Sequence, residues 1–150
     1  MAHAFANFLT HVIFSARNRE HLITGELKPV LLACMGGIVR ELEGKAVAIN
    51  SMPGHVHMLL WLPPSVAAAE ALRILITNSC RWVRQTRPRL RGFAWQTGYA
   101  AFSVSKSNAA SVAKYIRHQE MHHRRMTFPE ELVSFLKRNG VQCDERYIRE

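Results

Sequence analysis

The sequence predicts an α+β protein with a ferredoxin-like antiparallel sheet, and three observations support this class. Strand-like and helix-like segments follow one another in the order β-α-β-β-α-β. Additional helical segments come after this unit, at the C-terminal end. A chain of 150 residues with 48% hydrophobic content is also large enough to bury a core. We therefore expect a single domain over residues 1–150, with the two helices of the unit on one face of the sheet.

The first strand and the first helix follow from simple periodic patterns. Residues 8–15 alternate in the two-residue period of a strand. Apolar residues then recur at helical spacing from about residue 26 to 43, with Pro29 near the first turn. The pair Gly36-Gly37 inside this helix costs about 1 kcal/mol per glycine relative to alanine. A close approach of another backbone segment would explain the pair.

Two more strands are predicted on either side of a tight turn. Gly44 ends the helix, and residues 46–50 form a short second strand. Pro53-Gly54 is a turn signal, and the apolar run over residues 55–62 indicates a buried third strand. The first and third strands are central in a ferredoxin-like sheet, so they should be neighbours. The open face of such a sheet commonly binds nucleic acid.

One further strand is predicted in the second half of the chain. Ser65 is a suitable N-cap for a helix over residues 66–86. A basic, kinked linker covers residues 87–92. Residues 95–105 then alternate again, which predicts a fourth strand.

Two helices are predicted at the C-terminal end. The first extends from about residue 108 to 125. The second is shorter, with Thr127 as its N-cap, Pro129 in its first turn and Gly140 as its stop. Both come after the β-α-β-β-α-β unit and are additions to it.

The charge balance indicates a polyanionic partner. The chain has 20 Lys and Arg against 11 Asp and Glu, which gives a net charge of +9. Nucleic acid is the first candidate and an anionic membrane surface the second. Arginines and histidines are the candidate phosphate contacts, although such charges usually form a solvated face. The candidates are Arg17, Arg19, Arg73, Arg81, Arg84, Arg117, Arg124, Arg125, His11, His122 and His123.

The cysteines and the apolar segments predict a cytoplasmic protein. The three cysteines are widely spaced and form no C-x-x-C pair, which is typical of a reducing compartment. No Lys or Arg precedes residue 17, so the N-terminal segment does not have the pattern of a signal peptide. No apolar run has the length of a transmembrane helix, and we expect no membrane partner.

Two histidines open the third strand. His55 and His57 are two residues apart, so their side chains point to the same face of the sheet. Two imidazoles on a rigid strand form half of a divalent-metal site. An isolated pair of this kind is more often a hydrogen-bonded pair of sheet histidines, so both interpretations stay open on these residues alone.

A second group of candidate residues lies on the helix predicted over residues 108–125. Tyr115 and Gln119 are four residues apart and should share a helix face, with His122 one turn further. Together with His55-Val56-His57, the Tyr-x-x-x-Gln pair resembles the single-tyrosine HUH transposases, the insertion-sequence-200-like family. The resemblance extends over most of the chain. The branch that it resembles most includes transposases associated with repetitive extragenic palindromes. The similar segments are residues 11–20, 52–57, 95–105, 115–123 and 144–147.

The resemblance implies a function and a set of site residues. It implies that Tyr115 is the nucleophile and that His55, His57 and Gln119 bind a divalent metal. Mg²⁺ or Mn²⁺ is expected, and zinc stays open as an alternative. The implied reaction cleaves single-stranded DNA, leaves a 5′-phosphotyrosine and a free 3′-OH, and then transfers the strand. Hairpin DNA is the implied partner, and a homodimer that shares active sites between its chains is a further expectation.

The chain departs from the family pattern at two positions. Gly54 stands where relatives often have Asp, and His118 where Asn is common. Neither position carries the chemistry, but Gly54 lies in the turn before the histidines and affects its geometry. Among the weaker candidates, His122 and His123 would be further metal ligands or contact phosphate, and His11 would lie beside the metal or contact DNA. Trp95 and Tyr99 would stack on bases or pack in the core.

Three rival functions share parts of this pattern. A domesticated relative would bind hairpin DNA or RNA without moving it. A metal-dependent hydrolase would use Tyr115 only to position water. A plasmid relaxase would share the chemistry, but this chain has a single candidate tyrosine and no helicase domain.

Overall fold

The computed structural model describes residues 5–144 and 148 and divides into two compact units, one ending at Arg117 and the other beginning at His118. The first unit contains the sheet and its helices. Its elements in chain order are β1 (Phe8–Ser15), α1 (Leu27–Glu41), β2 (Lys45–Met52), β3 (His55–Leu62), α2 (Ala68–Thr86), β4 (Ala100–Val104) and α3 (Ala109–Arg117). Short 3-10 turns cover Arg17–Arg19, Pro88–Leu90 and Lys106–Asn108.

The strands form an antiparallel sheet in the order β2-β3-β1-β4 within the described residues. The predicted α+β fold with central first and third strands is confirmed. Ser15 of β1 is paired with His55 of β3, and Ile13 is paired with His57. Because β3 has a neighbour on each side, its backbone hydrogen bonds are satisfied and its side chains are held in a fixed register.

The larger core lies on one face of the sheet. Side chains from the central strands that point to this face pack against α1 and α2. Val12 and Phe14 of β1 alternate with residues of the opposite face, as do Val56, Met58 and Leu60 of β3. These residues are almost completely buried. Burial of this apolar surface is the main stabilising contribution to the unit.

The opposite face is partly covered by α3. Leu9, Ala48 and Leu59 form a smaller apolar cluster with Ala113 and Ile116 of the helix. The expected helices of the β-α-β-β-α-β unit do lie on one face, but α3 occupies the other. The face that carries the histidines is therefore not an open platform along its whole length.

Two predicted boundaries are wrong. The fourth strand begins at Ala100, because Trp95 makes only an isolated bridge to Ala16 and Gly98 turns the chain with φ of 89°. Ser65 does not cap α2. It lies in a turn closed by the bond from the Val66 N–H to the Pro63 carbonyl, and α2 begins after Ala67 without a side-chain cap.

The helix predicted over residues 108–125 is not continuous. It ends at Arg117, and His118 leaves the helical conformation with φ of −106° and ψ of 31°. A separate short helix, α4 (Gln119–His122), follows in the second unit. The prediction that Tyr115 and Gln119 share the face of one helix is therefore wrong.

The second unit also contains α5 (Phe128–Arg138). The hydroxyl of Thr127 accepts the Glu130 N–H at 3.3 Å, and Pro129 lies in the first turn, so both predicted start signals are confirmed. Gly140 follows the helix with φ of 67°, as expected for a stop residue. In the similar tail segment, residues 145–147 lie outside the described residues. None of the helices described in either unit has the length and apolar character needed to span a bilayer.

The glycines inside α1 and the glycine that follows the helix differ sharply in the space around them. A Cβ at Gly36 or Gly37 would meet nothing within 4 Å, so the expected close backbone approach is absent there. A Cβ at Gly44 would lie 2.8 Å from the carbonyl oxygen of Trp61. The close approach occurs at the end of α1, where the chain turns into β2.

The same substitution should therefore have opposite effects at these positions. We expect Gly36→Ala to raise the free energy of unfolding by about 0.5–1 kcal/mol, because alanine loses less backbone entropy in a helix. Gly44→Ala should lower it by about 1–3 kcal/mol, because the methyl group meets a backbone atom. Urea denaturation of both variants measures the difference. Equal effects at the two positions would contradict this interpretation.

Candidate metal and nucleophile site

The histidine pair lies at the start of β3. His55 and His57 point to the same face, as their spacing predicts, and their ring centroids are 5.3 Å apart. Both side chains are buried, with 4% and 0% of their surface exposed. Because both side chains are buried and the strand register is fixed, the two rings are held in place by rigid secondary structure.

A third histidine contacts this pair. Nε2 of His11 on β1 lies 2.9 Å from Nδ1 of His57, and the two nitrogens share a hydrogen bond. Phe102 of β4 also contacts the His11 ring, edge-on and with 6.4 Å between centroids. His11 is only 2% exposed, so it lies beside the predicted metal ligands rather than at the surface.

The predicted nucleophile lies close to the same histidines. Tyr115 is on α3, and its ring centroid is 6.1 Å from that of His57. Ala113 and Ile116 of the same helix are buried against the sheet, and they fix the rotation of the helix about its axis. The first unit thus brings together His11, His55, His57 and Tyr115.

A basic turn lies at the same end of the sheet. Arg17–Arg19 follows β1 directly after Ser15, the residue paired with His55. Asn18 and Arg19 have φ of 57° and 54°, a left-handed conformation that is uncommon for residues other than glycine. The turn is held by the Asn18 N–H, which donates to Oε1 of Gln96 at 3.1 Å. Burial lowers the pKa of Arg19 from its usual value.

The turn also packs against the loop that precedes the histidines. The Ala16 N–H donates to the Gly54 carbonyl and the Ile23 N–H to the Pro53 carbonyl, each at 2.9 Å. A Cβ at Gly54 would lie only 2.9 Å from the carbonyl oxygen of Arg19. Glycine at this position thus permits the basic turn to contact the histidine loop.

The arginines of α2 lie on the other side of the sheet. Arg73 is paired with Glu70, at 2.6 and 3.0 Å, and this pairing lowers the pKa of Glu70 and raises that of Arg73. Nε of Arg84 donates to the Phe93 carbonyl at 2.6 Å, and with Arg81 it lines a cavity of about 370 Å³. These three arginines are thus separated from the histidine pair by the sheet.

The remaining candidates of the first unit are Arg117, Trp95 and Tyr99, and each has a different environment. Nη2 of Arg117 lies 3.5 Å from the Val47 carbonyl, at the end of α3. Trp95 is buried, and its indole N–H donates to Oγ of Ser79 at 2.9 Å, so it is a core residue. Tyr99 is 44% exposed.

The second unit contains a separate polar cluster. Nε2 of His123 lies 3.1 Å from Oε1 of Gln119 and 3.1 Å from Oε1 of Glu131. Glu131 is only 1% exposed, which is uncommon for a carboxylate. Sequence reasoning missed Glu131, because a single glutamate near the start of an amphipathic helix looks like a favourable helix-dipole residue. His122 lies at the end of α4, next to this cluster in sequence.

Comparison with known proteins identifies the family. The family described as "Transposase IS200 like" matches residues 4–119, which is more than half of the chain. The chain belongs to this family. The transposase for insertion sequence element IS200 of Salmonella typhimurium is 30% identical over 79% of this chain and 81% of its own length. The ISDra2 transposase TnpA of Deinococcus radiodurans is 27% identical over 73% of this chain and 81% of its own length.

Solved structures of other transposases have the same fold. A protein from Deinococcus radiodurans described as a transposase superposes with a TM-score of 0.67 and 23% identity, covering 79% of this chain and 95% of that one. A REP-associated tyrosine transposase bound to a REP hairpin superposes with a TM-score of 0.60 and 16% identity, covering 82% of this chain and 74% of that one. At these identities the likeness shows the fold alone.

The Gly54 contact gives a prediction for this IS200-like transposase. We expect Gly54→Asp to lower the free energy of unfolding by about 1–3 kcal/mol, because the new Cβ meets the Arg19 backbone. Gly92→Asp is the matched control, since a Cβ at Gly92 meets nothing within 4 Å. Urea denaturation measures both variants. A Gly54→Asp protein as stable as the control would show that the turn rearranges without cost.

Proposed function

We propose that this transposase cleaves and rejoins single-stranded DNA through a covalent bond between Tyr115 and a 5′-phosphate. Membership of the family implies a DNA-cleaving enzyme. The observation that supports the mechanism is the position of Tyr115, whose ring lies 6.1 Å from His57 on the buried histidine face. A phenol oxygen beside a potential metal site is the nucleophile that this chemistry requires.

The chemistry of the histidine pair fits a divalent metal. His55 and His57 are neutral nitrogen donors on one face of a rigid strand, and His11 engages Nδ1 of His57. A metal would therefore be bound through Nε2 of His57. We propose His55, His57 and the amide oxygen of Gln119 as ligands, the last on the basis of the family motif. A bound Mg²⁺ or Mn²⁺ would act as a Lewis acid and relieve charge on the non-bridging phosphate oxygens.

The proposed reaction conserves the number of phosphate ester bonds. The phenol of Tyr115 loses its proton, and Oη attacks the scissile phosphorus in line with the leaving 3′-oxygen. The P–O3′ bond breaks, the 3′-oxygen takes up a proton, and the 5′-phosphate stays on the tyrosine. A second 3′-OH then attacks this phosphotyrosine, and the P–O bond to Tyr115 breaks. Because each step exchanges one ester for another, no external energy source is needed.

Hairpin-containing single-stranded DNA is the proposed substrate. One structural neighbour is bound to a REP hairpin, and the net charge of +9 favours a polyanion. Among the candidate contacts, Arg17 and Arg19 have the best support, since their turn lies at the end of the sheet that carries His55. We keep Arg117, His122 and His123 as further candidates. We expect the reaction to take place in the bacterial cytoplasm, where the chromosome is.

The central experiment traps the covalent intermediate. Labelled single-stranded DNA from the flanks of the protein's own gene is incubated with Mn²⁺ and analysed on a denaturing protein gel. We expect a labelled band at the mass of the protein, absent with Tyr115→Phe, with His55→Ala and after chelation. Free cleavage products that persist with Tyr115→Phe would exclude the tyrosine as nucleophile and favour the hydrolase. DNA that is bound but never cleaved by the wild type would favour a binding module.

The short distance within one chain also predicts that Tyr115 serves its own metal site. A dimer with shared sites would instead pair the tyrosine of one chain with the histidines of its partner. We therefore expect that a mixture of Tyr115→Phe and His55→Ala proteins forms no covalent adduct. Adduct formation at about a quarter or more of the wild-type yield in the mixture would support shared sites.

His11 should affect the metal through His57. We expect His11→Phe to weaken Mn²⁺ binding about 10–100-fold, because the acceptor that orients the His57 ring is lost. His11→Gln retains an acceptor and should weaken it less. Electron paramagnetic resonance of free Mn²⁺ measures the affinity without DNA. Unchanged Mn²⁺ affinity in a folded His11→Phe protein would show that His11 does not contribute to metal binding.

A further inference from the structure

Asn50 connects the tyrosine helix to the sheet. Its Nδ2 donates to the carbonyl oxygen of Ile116 at 2.9 Å and lies 3.3 Å from that of Arg117. Its Oδ1 accepts the N–H of Ser51 at 2.9 Å, which fixes the orientation of the carboxamide. A side chain of β2 thus binds the last two carbonyl groups of α3.

These contacts satisfy groups that a helix leaves unpaired at its end. The last four carbonyl groups of an α-helix have no partner within the helix. Many helices solve this with a glycine in the left-handed conformation, but α3 is followed by His118, with φ of −106°. The amide of Asn50 supplies the donor instead. The end of the helix is therefore fixed to one strand position.

The strand position is directly beside the proposed metal site. Asn50 is the register partner of His57 on the neighbouring strand, so both side chains lie on the same face of the sheet. Ile116, whose carbonyl Asn50 binds, is the residue next to Tyr115. The hydrogen bond from Asn50 to the Ile116 carbonyl thus connects the backbone next to Tyr115 to the strand position beside His57.

We propose that Asn50 is a positioning residue, which fixes the end of α3 so that Tyr115 is aligned with the histidine pair. This inference rests on the proposed function, because alignment affects cleavage only if Tyr115 is the nucleophile. Asn50 itself contacts neither the metal nor the DNA in this assignment. It acts through the backbone of Ile116 and Arg117, so its loss should slow the chemical step and leave both binding steps intact.

The test compares three substitutions. Asn50→Asp has nearly the same shape but replaces the donor by a carboxylate that repels the helix carbonyls. Asn50→Gln retains the donor on a longer side chain. Asn139→Asp is the matched control, because Nδ2 of Asn139 also binds a carbonyl at a helix end, that of Phe135 at 2.8 Å in α5.

The measurements separate positioning from general stability. We expect Asn50→Asp to lower the single-turnover rate of adduct formation about 10–100-fold, with the KM for DNA changed less than about twofold. Asn50→Gln should recover at least part of the rate, and Asn139→Asp should cleave like the wild type. Mn²⁺ affinity should be unchanged in Asn50→Gln and Asn139→Asp, and no weaker in Asn50→Asp, whose added carboxylate lies beside the histidine strand. A loss of rate in Asn50→Asp that Asn139→Asp shares would indicate only a loss of stability and overturn the proposal.

A second measurement does not depend on activity. We expect amide hydrogen exchange over residues 109–117 to accelerate about tenfold in Asn50→Asp and not in Asn139→Asp, since the bonds that end α3 are lost. Unchanged exchange together with an unchanged rate would overturn the role of Asn50. A wild-type protein that forms no Tyr115 adduct would contradict the proposed function without affecting the exchange comparison. The exchange data then still decide whether Asn50 holds the helix.

Discussion

The structure depends on the central position of β3, which is buried on both faces. One face of this strand packs against α1 and α2 through Val56, Met58 and Leu60, and the other carries the two histidines. Pairing with β1 and β2 fixes the register of both faces at once. A slip of one residue would exchange the apolar and the histidine faces, so the register that builds the core also builds the site.

The loops at one end of the sheet connect this core to the predicted substrate contacts. Ala16 and Ile23 flank the Arg17–Arg19 turn, and their N–H groups donate to the carbonyl groups of the Pro53-Gly54 loop. The Asn18 N–H in the turn donates to the side chain of Gln96. Left-handed residues in the turn and the close contact at Gly54 indicate that its conformation is imposed by its neighbours. Gly54 has no side chain, and the backbone of the basic turn lies close to where a Cβ would be.

Two different kinds of contact hold the proposed nucleophile. Apolar packing of Ala113 and Ile116 sets the rotation of α3, and the hydrogen bonds of Asn50 set where the helix ends. Apolar contacts are tolerant of small shifts, whereas hydrogen bonds to specific carbonyl groups are directional. In the second unit, Nε2 of His123 similarly lies within hydrogen-bond distance of the side chains of both Gln119 and Glu131. Polar contacts of this kind are suited to aligning groups for a reaction.

The sequence by itself determined the class of fold, the strand with the histidine pair and the family motifs. These follow from local patterns, since alternation, helical period and turn residues depend on neighbours in the chain. The strand over residues 8–15 and the Thr127 cap have the predicted positions for this reason. The family resemblance was visible because its motifs consist of particular residue types at short, fixed spacings.

Only the tertiary structure decided which distant residues meet. The bond between His11 and His57, the contact of Asn50 with α3 and the burial of Glu131 join residues that are far apart in the chain or have no periodic signal. The break at His118 and the late start of β4 also depend on such contacts, because helix and strand propensities alone favoured longer elements. Local sequence fixes what each segment can form, and packing between segments fixes where each one ends and what its side chains touch.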